Sequence, residues 1–127
     1  MTIKMVLDSS AALAYSMGAP QVGEALGELL EEPGWRFAVP AVCLAEAGAI
    51  TDDGGLLMRL GHHARGVVTP MPARRWEQLV ALSKLLGSPK WALPFLLATT
   101  NDAYLLTATP ERYPDADRVI DISVHRP

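Results

Sequence analysis

The apolar run Ile3-Lys4-Met5-Val6-Leu7 stops at a carboxylate, Asp8, and that junction limits what the chain can become. A short run that is apolar almost throughout reads as a buried strand of the kind found in the middle of a parallel sheet. An acid at the end of such a strand is costly to bury unless it is hydrogen-bonded, paired or bound to a cation. A second acid raises the same question, because Glu46 is the only charge in the apolar stretch 37–50. Two acids at the ends of hydrophobic elements point to a site.

The rest of the chain alternates between the two periodicities. Ser9 and Ser10 are expected to cap a helix over 11–17, which Gly18-Ala19-Pro20 ends. Val22, Ala25, Leu26, Leu29 and Leu30 then recur at i, i+3, i+4, i+7 and i+8, with Glu24, Glu28, Glu31 and Glu32 on the other face. Pro33-Gly34 stops that amphipathic helix, and 35–39 reads as a second strand. Pro40 opens a helix at the first-turn position that tolerates proline, and this helix carries Glu46 to about Ile50. Asp52-Asp53-Gly54-Gly55 is a turn, 56–64 a helix ending at Gly66, and 67–69 a third strand. Pro72 and Ala73 lead into a helix through Leu86 with Trp76, Leu79, Leu82 and Leu86 inward. Ser88 and Pro89 start another over 90–100, where Pro94 is still close enough to the first turn to be tolerated. A fourth strand over 103–106, a turn over 109–114 and a last short strand over 118–122 complete the pattern. Strands alternating with helices predict an α/β fold, a three-layer α/β/α sandwich on a mostly parallel sheet of four or five strands, as one domain over 1–127.

Half of the residues are apolar and a fifth are charged, enough for a real core and against disorder. The single cysteine, Cys43, rules out an internal disulfide framework and reads as a small buried hydrophobe rather than a reactive thiol. No leader-like segment and no apolar run of membrane-spanning length is visible, so the expectation is a cytoplasmic protein without a membrane partner. A net charge of −3 opposes strong, unspecific nucleic-acid binding. The charge is uneven, however: 54–75 holds no acid but contains Arg59, Arg65, Arg74 and Arg75 with His62 and His63. Solvated helix faces and a face for an anionic partner both fit that segment. Adjacent His62 and His63 cannot share one helix face as metal ligands. A glycine-rich phosphate loop is missing, as is a histidine near Cys43 in sequence. The aromatic content of 6% offers no stacking platform for single strands, and no DNA-recognition helix is evident.

In an open parallel sheet, ligands bind beyond the carboxyl ends of the strands. Asp8 follows the first strand, Thr107-Ala108-Thr109 follows the fourth, and Glu46 faces back toward the same edge. The pattern Val6-Leu7-Asp8-Ser9-Ser10-Ala11, then Val39-Pro40-Ala41-Val42 leading to Glu46, then Tyr104-Leu105-Leu106-Thr107-Ala108 followed by Pro110-Glu111-Arg112-Tyr113, resembles a PIN domain. The likeness is closest to the short prokaryotic toxins of the VapC type and covers nearly the whole chain. It implies an endoribonuclease whose carboxylates hold one or two magnesium or manganese ions. Asp8 matches the family's first acid and Glu46 its second. The third acid position holds Trp91, followed by Ala92, and the fourth holds Thr109.

Those departures shape the functional expectation. Asp8 and Glu46 alone hold a single Mg2+ or Mn2+ weakly at best, since such ions take several oxygen ligands, and a two-metal clamp lacks ligands altogether. Thr109 offers a hydroxyl, Thr107 orients the strand-end backbone, and Trp91 places an indole at the mouth. Asp102, Glu111, Asp115 and Asp117 read as turn residues. Taken singly, Asp8 is as good a helix cap as a metal ligand, and Glu46 could be a core acid paired with a distant arginine. The resemblance thus implies a PIN-like domain with an impaired or lost nuclease site, a binding or regulatory module of toxin–antitoxin descent. Its partners on this reading are an antitoxin-like protein, a second copy in a homodimer, or RNA in the groove. Helix 22–30 is interface or core. Asp8→Ala is then expected to leave function and stability nearly unaltered or improved. The alternative is a Mg2+- or Mn2+-dependent endoribonuclease toxin of the VapC type, which leaves enzyme status open.

Overall fold

Five strands lie side by side: β1 (Thr2–Leu7), β2 (Trp35–Pro40), β3 (Gly66–Thr69), β4 (Tyr104–Thr107) and β5 (Val119–Asp121). Their order is β3-β2-β1-β4-β5, and every neighbouring pair is parallel. The computed structural model describes residues 2–51, 54–115 and 117–123. Six α-helices connect the strands among these residues: α1 (Ser9–Ser16), α2 (Pro20–Leu29), α3 (Ala41–Ile50), α4 (Gly55–Gly61), α5 (Trp76–Leu86) and α6 (Pro89–Thr100). The fold is a three-layer α/β/α sandwich, and the sheet is wholly parallel with five strands. None of the described helices is long and apolar enough to cross a membrane.

Alternation along the strands divides the core into two. Met5, Leu7, Phe37, Val39 and Leu106 point to the face covered by α1–α4. Val6, Ala38 and Leu105 point to the opposite face, covered by α5 and α6. Because both faces are covered, the strands are apolar runs rather than alternating ones. Register then sets the site. Leu7 pairs with Leu106, so the next residues in each strand direction, Asp8 and Thr107, emerge side by side. From β1 the chain adds β2 and β3 on one side before crossing to add β4 and β5 on the other. That reversal opens its crevice beyond the carboxyl ends of β1 and β4, where open α/β sheets take ligands.

Two sequence expectations, at Gly66 and Trp76, need correction, and two left open, the cap of α1 and the stripe of α2, are resolved. The cap of α1 is Asp8 itself, whose carboxylate accepts from the Ala11 amide, while Ser9 and Ser10 lie inside the first turn. Gly66 does not end a helix: α4 stops at Gly61, and Gly66 begins β3 opposite Phe37. A Cβ at Gly66 would sit 2.7 Å from the Phe37 ring, so the position takes only glycine without a shift. Trp76 does not face inward. A 3-10 turn at Ala73–Arg75 precedes it, and the indole is 61% exposed while Leu79 and Leu86 are buried. Helix α2 buries Val22, Leu26 and Leu29 against the sheet, which makes its apolar stripe core. The turn at 52–53 lies outside the described residues.

Candidate functional site

Asp8 is 0% exposed, and its carboxylate is fully engaged. Oδ1 accepts from the Ser10 hydroxyl at 2.6 Å and the Ala11 amide at 2.9 Å. Oδ2 accepts from the Thr107 hydroxyl at 2.6 Å and the Tyr113 phenol at 2.7 Å. Four donors from three separate chain segments converge on one group, which satisfies the demand made by burying it. The shell is itself tied down. Ser10 Oγ accepts from the Ala108 amide at 2.9 Å, and Thr107 Oγ1 accepts from the Thr109 amide at 3.0 Å. Thr107 therefore orients the strand-end backbone, as its place in the sequence implied. Thr109, half-buried, brings its hydroxyl to 3.2 Å from that of Thr107.

Tyr113 is held from both sides by α6. Its ring stacks on Phe95 with centroids 6.1 Å apart and meets the Trp91 edge at 6.2 Å and 82°. Trp91 and Phe95 are four residues apart, hence on one side of the helix. Ring separations of this size suit offset and edge-on aromatic pairs. Trp91 is thus packed core rather than an indole standing free in a mouth. Its action on Asp8 runs through Tyr113, whose hydroxyl it helps to place. Burial first, then the charge on Asp8, push the Tyr113 phenol far above its ordinary range, so it remains a donor. Two cations sit over the Trp91 ring, Lys90 Nζ at 4.9 Å and the Arg112 guanidinium carbon at 5.2 Å from its centroid.

Glu46 meets different conditions. Its side chain is 35% exposed, and its partner is Lys90, with Nζ 3.7 Å from Oε2. It is neither a core acid nor paired with an arginine. Yet it does share a neighbourhood with Asp8. The Cys43 thiol, fully buried on α3, is pushed up to about 12 by burial, while the nearby Ser9 hydroxyl opposes the rise and the charges of Asp8 and Glu46 add to it. Both acids therefore lie within electrostatic reach of one sulfur, and Cys43 is the inert hydrophobe expected of it.

The residues as arranged do not fit a divalent ion. Every oxygen of Asp8 already has two donors aimed at it, and a hard cation needs open oxygen lone pairs. Among the described residues, no three of His, Cys, Asp or Glu are gathered to hold one. Glu111 is exposed, so it does not turn inward to supply a ligand. Asp102 sits in the turn at the opposite, amino-terminal edge of the sheet, at φ 51° and bound to Arg118, which also holds Asp115. Asp117 is exposed and lines a cleft with Asp102, Asp115 and Arg118. The basic segment divides as well. Arg65 donates to the carbonyls of Glu32 and Trp35 below β2, whereas Arg75 lies beyond the other end of β3 and holds Gln78 and Thr100. Arg59 and Arg74 are exposed.

Sequence reasoning found Asp8, Thr107 and Thr109 and missed the roles of Ser10, Tyr113 and Lys90. Tyr113 is separated from Asp8 by 105 residues, and the pattern Pro110-Glu111-Arg112-Tyr113 that contains it does not reveal its bond to Asp8. No family model, curated protein or solved structure matches the chain.

Proposed function

We propose that this protein is a PIN-like domain without a working hydrolytic centre, acting as a binding module for a partner protein of antitoxin-like kind. Pairing of two copies is a second binding mode on the same reading. One observation carries it: Asp8, the residue such a centre would need first, has all its lone pairs met by Ser10, Ala11, Thr107 and Tyr113. Trp91 and Thr109 in the remaining acidic positions, and Lys90 on Glu46, support the same reading. A ribonuclease needs water and a phosphate oxygen beside an ion at that point, and a buried phenol stands there instead.

The experiment is incubation of the purified chain with single-stranded RNA and Mn2+, alongside Asp8→Asn, with calorimetric titration of Mn2+ into both. The expected result is no cleavage that depends on Asp8 and no saturable ion binding. Cleavage by the wild type that Asp8→Asn abolishes overturns the reading in favour of a Mg2+- or Mn2+-dependent endoribonuclease. The convergence of Asp8 and Glu46 near Cys43 is what keeps that second reading in contention.

A further inference from the structure

Helix α5 buries only one side. Leu79 and Leu86 pack into the core, but Trp76, Val80 and Leu85 are exposed. Trp76, Val80, Ser83 and Gly87 recur at i, i+4, i+7 and i+11, and with Pro89 they line a mainly apolar groove of about 400 Å3. The spacing follows one helical stripe about 16 Å long. Trp76 and Val80 stand exposed along this stripe, with Ser83 half-buried between Val80 and Gly87.

Charge says what kind. Lys84 is the one charged residue lining the groove. Arg74 is exposed two residues before Trp76 and has no ion-pair partner among the described residues, and neither does Lys84. Between Gly54 and Asn101 the only acid is Glu77, against Arg59, Arg65, Arg74, Arg75, Lys84 and Lys90. Glu77 lies two turns from Lys84 on the same flank and outside the groove lining. The acidic amphipathic helix of this chain, α2, is not the occupant, because it already buries its apolar stripe in the core.

We infer that the α5 groove takes an amphipathic helix from a partner protein, its apolar face on Trp76, Val80 and Gly87 and its acidic flank toward Lys84 and Arg74. This rests on the binding-module reading and names the partner's chemistry. Helix-in-groove docking uses this geometry, with apolar anchors at i, i+3, i+4 and i+7, and a flank on which Lys84 and Arg74 outnumber Glu77 disfavours basic competitors.

The probe is a synthetic amphipathic helical peptide with leucines along one face and glutamates beside them, with a twin carrying lysine for every glutamate. Binding to the whole chain is read from the emission of Trp76, the most exposed of the three tryptophans, and from Trp76→Phe as its control. The acidic peptide is expected to shift the emission and to weaken with added salt, and its twin to bind about tenfold less tightly, as a mainly basic flank requires. Val80→Asp, at an exposed position that leaves the core untouched, should abolish binding, and Lys84→Glu should weaken it. Equal binding of the two peptides, no binding, or binding that survives Val80→Asp overturns the inference. A dimer in sedimentation that Val80→Asp separates overturns it too, since the occupant is then a second copy, and leaves the binding-module reading standing. Asp8-dependent RNA cleavage defeats that reading whatever the groove does.

Discussion

Asp8 and Glu46 bring the same functional group to the same end of the sheet and are treated in opposite ways. Asp8 is fully buried and surrounded by four donors, three of them neutral hydroxyls; Glu46 is partly solvated and has one loose ion pair. The donors on Asp8 come from α1, from the end of β4 and from the turn after it, so the carboxylate ties three segments together. Among the described residues, the ion pair of Glu46 ties α3 to the start of α6. An acid at a strand end is thus diagnostic only once its lone pairs are accounted for.

The sharpest way to break this contrast is Asp8→Ala. Removing the carboxylate deletes the cap of α1, worth about 1 kcal/mol, and strands buried donors at about 1–3 kcal/mol each where they find no new partner. A loss of about 3–5 kcal/mol in urea unfolding is expected, a large share of the stability of a small domain. That reverses the sequence-based expectation of an unaltered or improved protein, which treated Asp8 as a vestigial ligand. An unchanged midpoint would remove the network from the account.

Alkaline titration sharpens the contrast from the side of the neighbours. The folded state holds the Cys43 proton up to about 12, whereas the unfolded chain releases it near its ordinary 9.0. Over that window the unfolded state binds fewer protons, so stability is fully present below pH 9 and falls as pH rises toward 12. The slope is about 1.4 kcal/mol per pH unit for one such group. Tyr113, also raised, adds to the loss at the upper end. Cys43→Ala should flatten the slope between pH 9 and 12 in urea midpoints measured at each pH; an unchanged slope removes Cys43 from it.

Smaller again is Tyr113→Phe. The ring keeps its place between Trp91 and Phe95, and only the 2.7 Å bond to Asp8 goes. One buried hydrogen bond to a charged group should cost about 1.5–3 kcal/mol. A thermal midpoint equal to the wild type would mean that the phenol contributes nothing at Asp8.

Legibility followed range. Buried parallel strands are continuous apolar runs and their helices are punctuated by Pro and Gly, so Ile3 to Leu7 or Pro89 onward could be placed from local pattern alone. The helix carrying the stripe Val22 to Leu30 is equally clear, because its apolar residues recur at i, i+3, i+4, i+7 and i+8. Partners of Asp8 at Thr107 and Tyr113 are 99 and 105 residues away, and only strand register brings them in. Glu46 misled for a different reason. Its neighbours Ala41, Val42, Ala45, Ala49 and Ile50 are apolar yet exposed on α3, so apolar surroundings in sequence did not mean burial. Trp76 misled because a 3-10 turn resets the helix start, and the stripe that begins at Leu79 does not extend back to it.

Glu46→Gln should have the smallest effect, and that is its use. The pair with Lys90 joins two side chains that are 35% and 40% exposed, at a separation of 3.7 Å. Exposed pairs of this kind are worth about 0–1 kcal/mol, because solvent screens the attraction and ordering two long side chains opposes it. Lys90 also keeps its place over Trp91 when the carboxylate is gone, at 4.9 Å from the ring. Urea unfolding of Glu46→Gln should therefore shift by no more than about 0.5 kcal/mol, within what surface substitutions usually do. If Glu46 were holding an ion together with Asp8, the same change would instead remove a ligand, and Mn2+ would raise the thermal midpoint of the wild type but not of the variant. A Mn2+-dependent difference between the two melts would show that Glu46 and Asp8 share an ion despite the four donors on Asp8.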